Sequence, residues 1–245
     1  MKAIYNNILG SISEGKKLLA VLIDPDKMKP EDLSGFMQKL NQSVATHVFV
    51  GGSAVNEHAT EILVAEIKRY THLPIVLFPG DVTQITNHAD AVLFLSLISG
   101  DNPEYLIGKH IKAVSKLKYF DLEVIPTGYV LIENGKQTSV EKVTKTKPLS
   151  RHNTQHIVDT AKAGELLGMQ LIYLEAGSGA IHPVPTEIIS FVKQELEIPL
   201  IVGGGIRSKL QLENAYNSGA DLVVIGTAFE DDENFFDELK KDTLE

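Results

Sequence analysis

Short runs of aliphatic and β-branched residues alternate with longer amphipathic segments along the whole chain. Most of these runs are continuous Val, Ile and Leu, which is typical of parallel strands covered by helices on their outer face. A regular alternation of such strands with helical segments predicts an α/β fold. Eight runs are predicted as strands: residues 19–23, 47–50, 75–78, 91–95, 122–126, 171–174, 200–202 and 222–225.

The number of strand and helix repeats favours a closed (β/α)8 TIM barrel over a doubly wound sheet, and we predict one such domain over residues 1–245. The segments between the runs carry helix boundary signals. Asn153 and Ser208 are predicted to cap helix N-termini, and Gly168 and Gly219 stand where a helix ends in a left-handed residue.

Two connections depart from the regular repeat. Only residues 79–90 separate the third and fourth strands, which leaves room for a short or distorted helix at most, so we predict a disrupted third helix that opens the barrel sideways. After the fifth strand, residues 130–150 form a long, polar, lysine-rich stretch in which Asn134 and Gly135 predict a hairpin-like turn. The sequence leaves open whether this stretch is a lid or a disordered excursion.

The composition narrows the function classes. A formal net charge of −9 disfavours non-specific nucleic-acid binding, which requires clustered Lys and Arg. The absence of cysteine excludes disulfides and thiolate chemistry and fits a reducing compartment. Residues 1–15 lack the apolar core of a signal peptide, and no run is long enough to span a bilayer. We therefore expect a cytoplasmic protein without a transmembrane segment, which could still touch a membrane surface.

Glycine-rich loops follow the last two strands. Gly203 and Gly204 come after the seventh strand, and Gly226 and Thr227 come after the eighth. In (β/α)8 barrels these two loops commonly bind phosphate, because glycine lets backbone N–H groups approach an anion closely. The pair predicts a phosphate site, although either loop alone could be a tight turn.

A carboxylate ends the sixth strand and lies next to the predicted phosphate site. Glu175 cannot bind a phosphate itself, so we expect it to contact a hydroxyl of a phosphorylated substrate, either to orient that hydroxyl or to accept its proton. The alternative is a structural ion pair with a Lys or Arg of a loop.

The ends of the first two strands offer oxygen ligands. Asp24 follows the first strand and Ser53 follows the second. Magnesium takes few protein ligands and completes its octahedron with water and substrate phosphates, so these residues suit Mg²⁺. The alternative is that Asp24 and Asp26 only form a turn or cap a helix.

Four motifs in this order resemble the geranylgeranylglyceryl phosphate synthase family: residues 22–27 (LIDPDK), 50–53 (VGGS), 173–179 (YLEAGSG) and 202–208 (VGGGIRS). The resemblance implies a TIM-barrel prenyltransferase that joins a polyprenyl diphosphate to sn-glycerol 1-phosphate. It also implies that Asp24 and Ser53 hold Mg²⁺, that Glu175 is the catalytic base, and that the enzyme is a homo-oligomer. The sn-glycerol 1-phosphate site would consist of Tyr173, Leu174, Glu175, Ala176, Gly177, Ser178, Gly179, Gly203, Gly204, Gly226 and Thr227.

The same resemblance places the prenyl tail in a surface groove, because the barrel interior is filled with side chains. We expect Phe94, Leu97, Ile98 and the third connection to bound it. Two alternatives stay open at this point. One is another phosphate-binding barrel enzyme, a sugar-phosphate isomerase or a flavin-dependent oxidoreductase, and the other is a non-catalytic barrel.

Overall fold

All eight predicted strands are present and close into a parallel barrel in sequence order. The computed structural model describes residues 3–56 and 58–241. The strands are β1 (Leu18–Ile23), β2 (His47–Val50), β3 (Ile75–Leu77), β4 (Ala91–Leu97), β5 (Glu123–Leu131), β6 (Leu171–Glu175), β7 (Leu200–Gly203) and β8 (Leu222–Ile225). β1 pairs with β8, so the barrel has no free edge.

Helices follow the strands around the outside of the barrel. They are α1 (Ala3–Ser13), α2 (Pro30–Gln42), α3 (Ala59–Ile67), α4 (Lys109–Leu117), α5 (Ser139–Thr144), α6 (Thr154–Leu166), α7 (Thr186–Glu195), α8 (Lys209–Asn217), α9 (Thr227–Asp231) and α10 (Phe235–Glu238). The predicted caps are confirmed, since the side chains of Asn153 and Ser208 accept the N–H groups of His156 and Gln211. In the described parts of the chain, no helix is long and apolar enough to cross a membrane.

Alternate residues of each strand divide the core into two layers. In β1, Leu18 and Ala20 belong to the barrel interior, whereas Leu19 and Val21 pack against the surrounding helices. This division follows from the two-residue period of a strand. Both layers are apolar, which explains why the strand sequences are continuous Val, Ile and Leu.

The N-terminal end of the barrel is closed by α1. Ile8 is buried among the interior residues, and the Glu123 carboxylate accepts the backbone N–H groups of Ile4 at 2.7 Å and Tyr5 at 3.0 Å. The opposite end, where the strands carry their C-termini, is not covered by α1.

The third connection is disrupted as predicted. Between β3 and β4 the chain forms only one turn of 3₁₀ helix, Val82–Gln84, which the Asp81 side chain caps. Asp81 also forms an ion pair with Lys109 of α4. The connection itself therefore contributes no α-helix to the outer layer of the barrel.

The prediction for the fifth strand and the following stretch was partly wrong. β5 continues to Leu131 because its second half pairs with both neighbours: Tyr129 lies opposite Leu97 of β4, and Leu131 lies opposite Glu175 of β6. The rest of the stretch is ordered. It contains α5, which begins with a Thr138–Glu141 capping box.

The turn at Asn134 and Gly135 closes no hairpin among the described residues. The Asn134 side chain is buried and donates to the Ala176 carbonyl at 2.5 Å, which ties the segment to the loop after β6.

Candidate active site

The two-residue period of the strands places the predicted carboxylates inside the barrel mouth. Leu171 and Tyr173 belong to the interior layer, so Glu175 at the end of β6 points the same way. Leu18, Ala20 and Leu22 form the corresponding row of β1, and Asp24 is the next residue of that row.

A chamber of about 310 Å³ occupies this mouth. It brings together Asp24, Ser53, Tyr173, Glu175, Ser178, Gly204, Gly226 and Thr227 of the predicted site. The residues predicted for a metal (the metal side) and those predicted for a phosphate (the phosphate side) therefore line one cavity.

Glu175 is the buried acid of the chamber, with 5% of its surface exposed. Its Oε1 atom accepts the N–H group of Gly177 at 2.5 Å. Burial raises the pKa of the Glu175 carboxyl, and the nearby Tyr173 hydroxyl and the Gly177 N–H oppose part of that rise. A carboxylate with a raised pKa is a better proton acceptor than an exposed one.

Three aromatic rings form the chamber floor. Phe78, Tyr129 and Tyr173 lie with their ring centroids 5.4 to 6.0 Å apart. The Tyr173 hydroxyl is buried and completes no hydrogen bond of ordinary geometry within the described residues. Burial and the nearby Glu175 charge raise the pKa of Tyr173 well above its ordinary value, so this group is a neutral donor.

The phosphate side is built from two loops in contact. The Thr227 hydroxyl accepts the N–H of Gly179 at 3.3 Å and lies 3.4 Å from the Ser178 hydroxyl. A cation is close by, since a Cβ built on Gly179 would be 3.2 Å from the Lys136 ammonium nitrogen. Hydroxyl and ammonium groups are donors that suit a phosphate.

The metal side carries a half-buried carboxylate. Asp24 Oδ1 accepts the N–H of Asp26 at 3.0 Å, and Oδ2 lies 3.9 Å from the Lys27 ammonium group. Burial raises the pKa of Asp24. The turn after β2 faces this carboxylate, because a Cβ on Gly52 would lie 3.0 Å from Asp24 Oδ2.

One carboxylate and one hydroxyl fit Mg²⁺ held mainly by a substrate diphosphate, which is the usual way proteins bind this ion. They do not form a complete protein cage, and no cluster of three or more acidic, His or Cys side chains suited to a metal occurs in residues 3–56 and 58–241.

An apolar groove of about 110 Å³ adjoins the chamber on the side of the disrupted third connection. Gly52, Ser53 and Phe78 line both cavities. The groove continues between β4, the 3₁₀ turn and α4, and its walls include Pro79, Val82, Ile85, Val92, Phe94, Leu97, Tyr105, Ala113, Val140 and Val143.

The predicted groove residues are only partly right. Phe94 and Leu97 line the groove, but Ile98 lies elsewhere: its side chain lies against Gly128 and Gly164, on the side of α6. The reason is that Ile98 follows the last residue of β4, where the chain turns outward.

Not every predicted substrate residue faces the chamber. Leu174 and Ala176 pack between the barrel and the surrounding helices. A Cβ on Gly203 would collide with the Tyr173 hydroxyl, so only glycine at this position accommodates the Tyr173 ring. Gly177 and Gly179 contribute their N–H groups to Glu175 and Thr227, as described above.

Several chamber residues were missed from the sequence: Tyr129, Ser139, Val140, Lys142 and Val143. Tyr129 had a readable signal, because it lies two and four residues after Thr127 and Ile125 on the interior row of β5. The others come from α5, which lies over the barrel mouth. The sequence of α5 contains no pattern from which this position could have been predicted.

Comparisons with known proteins agree with this geometry. The PcrB family profile matches residues 11–243. A geranylgeranylglyceryl phosphate synthase of Flavobacterium johnsoniae is 56% identical over 237 residues, which cover 97% of this chain and 98% of that protein. The protein of the same name from Thermococcus kodakarensis is 42% identical over 219 residues, covering 89% and 86%.

The fold is also shared with a solved relative. The (S)-3-O-geranylgeranylglyceryl phosphate synthase of Thermoplasma acidophilum, crystallised in complex with its substrate sn-glycerol-1-phosphate, superposes with a TM-score of 0.90 at 32% identity. The match covers 98% of this chain and 96% of that one.

Proposed function

Because the chain belongs to the PcrB family, we propose that it is a geranylgeranylglyceryl phosphate synthase, a prenyltransferase acting on sn-glycerol 1-phosphate. The reaction forms an ether between the glycerol 3-hydroxyl and C1 of a polyprenyl diphosphate and releases pyrophosphate. The comparisons lend no support to the isomerase, the oxidoreductase or the non-catalytic barrel considered from the sequence.

The observation that carries the proposal is a buried carboxylate between two anion sites in one chamber. The phosphate of sn-glycerol 1-phosphate is assigned to the Ser178 and Thr227 hydroxyls, with Lys136 supplying positive charge. Its glycerol end then extends toward Glu175. Tyr173 donates to an oxygen of the substrate, which would satisfy its buried hydroxyl.

The opposite side of the chamber takes the diphosphate. Asp24 and Ser53 would hold Mg²⁺, which when bound neutralises the diphosphate and makes it a better leaving group. Lys27 and Lys142 also line the chamber and add positive charge. The tail of the prenyl diphosphate enters the adjoining groove, whose lining is mainly apolar.

Glu175 is the proton acceptor of the proposed reaction. As the bond from C1 to the diphosphate oxygen breaks, the electron pair leaves with pyrophosphate and C1 becomes electron-poor. The glycerol 3-hydroxyl attacks C1, and its proton passes to the Glu175 carboxylate. Holding both reactants in one chamber lowers the entropic part of the barrier.

The test is incubation with sn-glycerol 1-phosphate and geranylgeranyl diphosphate, with detection of the ether product and pyrophosphate. Glu175→Gln should lower kcat by about 10²- to 10⁴-fold, the usual contribution of a general base, while sn-glycerol 1-phosphate still binds. Glu213→Gln, an exposed position on α8, is the matched control. Equal activity of Glu175→Gln and wild type would remove Glu175 from the chemistry.

The magnesium assignment has a separate test. Asp24→Asn should weaken Mn²⁺ binding in the presence of pyrophosphate by about 10- to 100-fold, as loss of a metal-site group generally does. Asp32→Asn on the exposed side of α2 is the control. Unchanged Mn²⁺ binding by Asp24→Asn would contradict the assignment.

We also propose that the protein acts in the cytoplasm as a homo-oligomer. The support for association is a row of exposed apolar side chains, Ile107, Ile111 and Val114, at and before α4. Light scattering of the purified protein tests this, and a monomeric mass at micromolar concentration would contradict it.

A further inference from the structure

One polar side chain outside the assigned site links the two loops that border the metal side. Gln84 lies in the 3₁₀ turn between β3 and β4 and is 2% exposed. A primary amide buried to this degree must satisfy its donors and acceptor within the protein.

The amide of Gln84 bonds to the loops after β2 and β3. Its Nε2 atom donates to the Gly52 carbonyl at 2.8 Å. Its Oε1 atom accepts the N–H groups of Gly52 and Gly80, both at 3.3 Å. The side chain therefore bonds to both backbone groups of Gly52 at once.

These bonds begin where the backbone ladder stops. The register of β2 and β3 ends at Val50 and Leu77, and the last backbone bond runs from Phe78 N–H to the Val50 carbonyl at 2.8 Å. Beyond that point the loops are in direct contact, since a Cβ on Gly80 would lie 2.9 Å from the Ser53 carbonyl oxygen. The Gln84 side chain thus continues the hydrogen bonding between the two loops beyond the point where β2 and β3 stop pairing.

The hydrogen bonds of Gln84 lie next to the residues assigned to the metal. Gly52 faces the Asp24 carboxylate on one side and precedes Ser53, which lines both the chamber and the groove. A shift of Gly52 would change the separation of Asp24 and Ser53. Beyond the end of the β2–β3 pairing, it is the Gln84 amide that bonds to the N–H and carbonyl groups of Gly52.

We propose that Gln84 is a positioning residue for the diphosphate side of the reaction: it fixes the Gly52–Ser53 turn against Asp24. The inference rests on the proposed function, because it assigns the turn to the diphosphate and its metal. It predicts an effect on one substrate and not on the other, since the amide of Gln84 bonds to the loops after β2 and β3, whereas the phosphate is assigned to the loops after β6 and β8.

The experiment compares Gln84→Leu with Thr86→Val. Leucine has nearly the volume of glutamine but cannot form the three bonds. Thr86 is a buried polar residue of the same connection whose hydroxyl accepts the His88 N–H, so Thr86→Val controls for a general loss of packing.

The expected result for Gln84→Leu is a rise of about 10- to 100-fold in KM for geranylgeranyl diphosphate and in the apparent Mg²⁺ constant. KM for sn-glycerol 1-phosphate should stay within about twofold, since its loops are untouched. Binding of Mn²⁺ with pyrophosphate, measured without catalysis, should weaken by a similar factor. Thr86→Val should leave these values unchanged.

Equal rises in KM for both substrates, or a fall in kcat with all binding constants unchanged, would overturn the proposal and leave Gln84 a structural residue. If Gln84→Leu does not fold, Gln84→Asn is the second variant, because it keeps the amide but is too short to reach both loops. We expect Gln84→Asn to raise KM for geranylgeranyl diphosphate and to leave KM for sn-glycerol 1-phosphate unchanged. A wild-type enzyme that forms no ether would instead refute the proposed function itself.

Discussion

The phosphate loop after β7 is packed so tightly against Glu175 that a single methyl group should disrupt it. Gly204 has a φ of +83°, and a Cβ at this position would lie 2.7 Å from Gly177 N and 2.9 Å from Ala176 N, with Glu175 Oε1 closer still. Gly204→Ala therefore combines a left-handed backbone with a clash. The two nitrogens belong to the backbone and cannot rotate away.

The structure supplies a rough magnitude for this substitution. A non-glycine residue in the left-handed region costs about 1–2 kcal/mol, and overpacking a filled site costs about 1–3 kcal/mol. The free energy of unfolding of Gly204→Ala should therefore fall by about 2–5 kcal/mol. Prenyl transfer should also fall, because the clash displaces the carboxylate that accepts the proton.

Gly168→Ala is the matched control. Gly168 has a φ of +93°, but a Cβ there would meet nothing within 4 Å. It should cost only the backbone contribution of about 1–2 kcal/mol. The effect of alanine on the unfolded chain is common to both variants and cancels in their difference.

Urea unfolding followed by circular dichroism measures both variants, with activity assayed in parallel. We expect Gly204→Ala to be less stable than Gly168→Ala by about 1–3 kcal/mol, and only Gly204→Ala to lose activity. Equal stabilities, or a fully active Gly204→Ala, would show that the loop relaxes freely and that its packing against Glu175 is unimportant.

Three further predictions concern the reaction. Because burial raises the pKa of Glu175 above its ordinary value of 4.5 and the base must be ionised, kcat/KM should decline as the pH falls through that raised pKa; an acid limb below 4.5 would contradict this. Leu97→Trp should fill the groove and raise KM for geranylgeranyl diphosphate about tenfold or more, with geranyl diphosphate less affected; unchanged use of the long substrate would move the tail elsewhere. Lys136→Met should raise KM for sn-glycerol 1-phosphate about tenfold, as loss of a charge-assisted hydrogen bond does, whereas Lys147→Met, exposed in the same segment, should not; equal values would remove Lys136 from the phosphate site.

Local sequence patterns predicted much of the fold. The continuous apolar runs predicted all eight strands, since a strand covered by helices must be apolar on both faces. The glycines after β7 and β8 and the carboxylate after β6 predicted a phosphate site beside an acid, because the barrel topology brings the C-terminal strand ends together. The boundary of β5 was missed, since Thr127 to Leu131 become strand only through pairing with β4 and β6.

The sequence by itself determined the barrel and the end at which the site lies, because these follow from the strand period of two and from the order of strands and helices. Only the tertiary structure decided that α5 covers the chamber, that the groove opens beside the 3₁₀ turn, and that Gln84 joins the loops after β2 and β3. Those features depend on side chains from elements far apart in the chain, and no local pattern records which of them will meet.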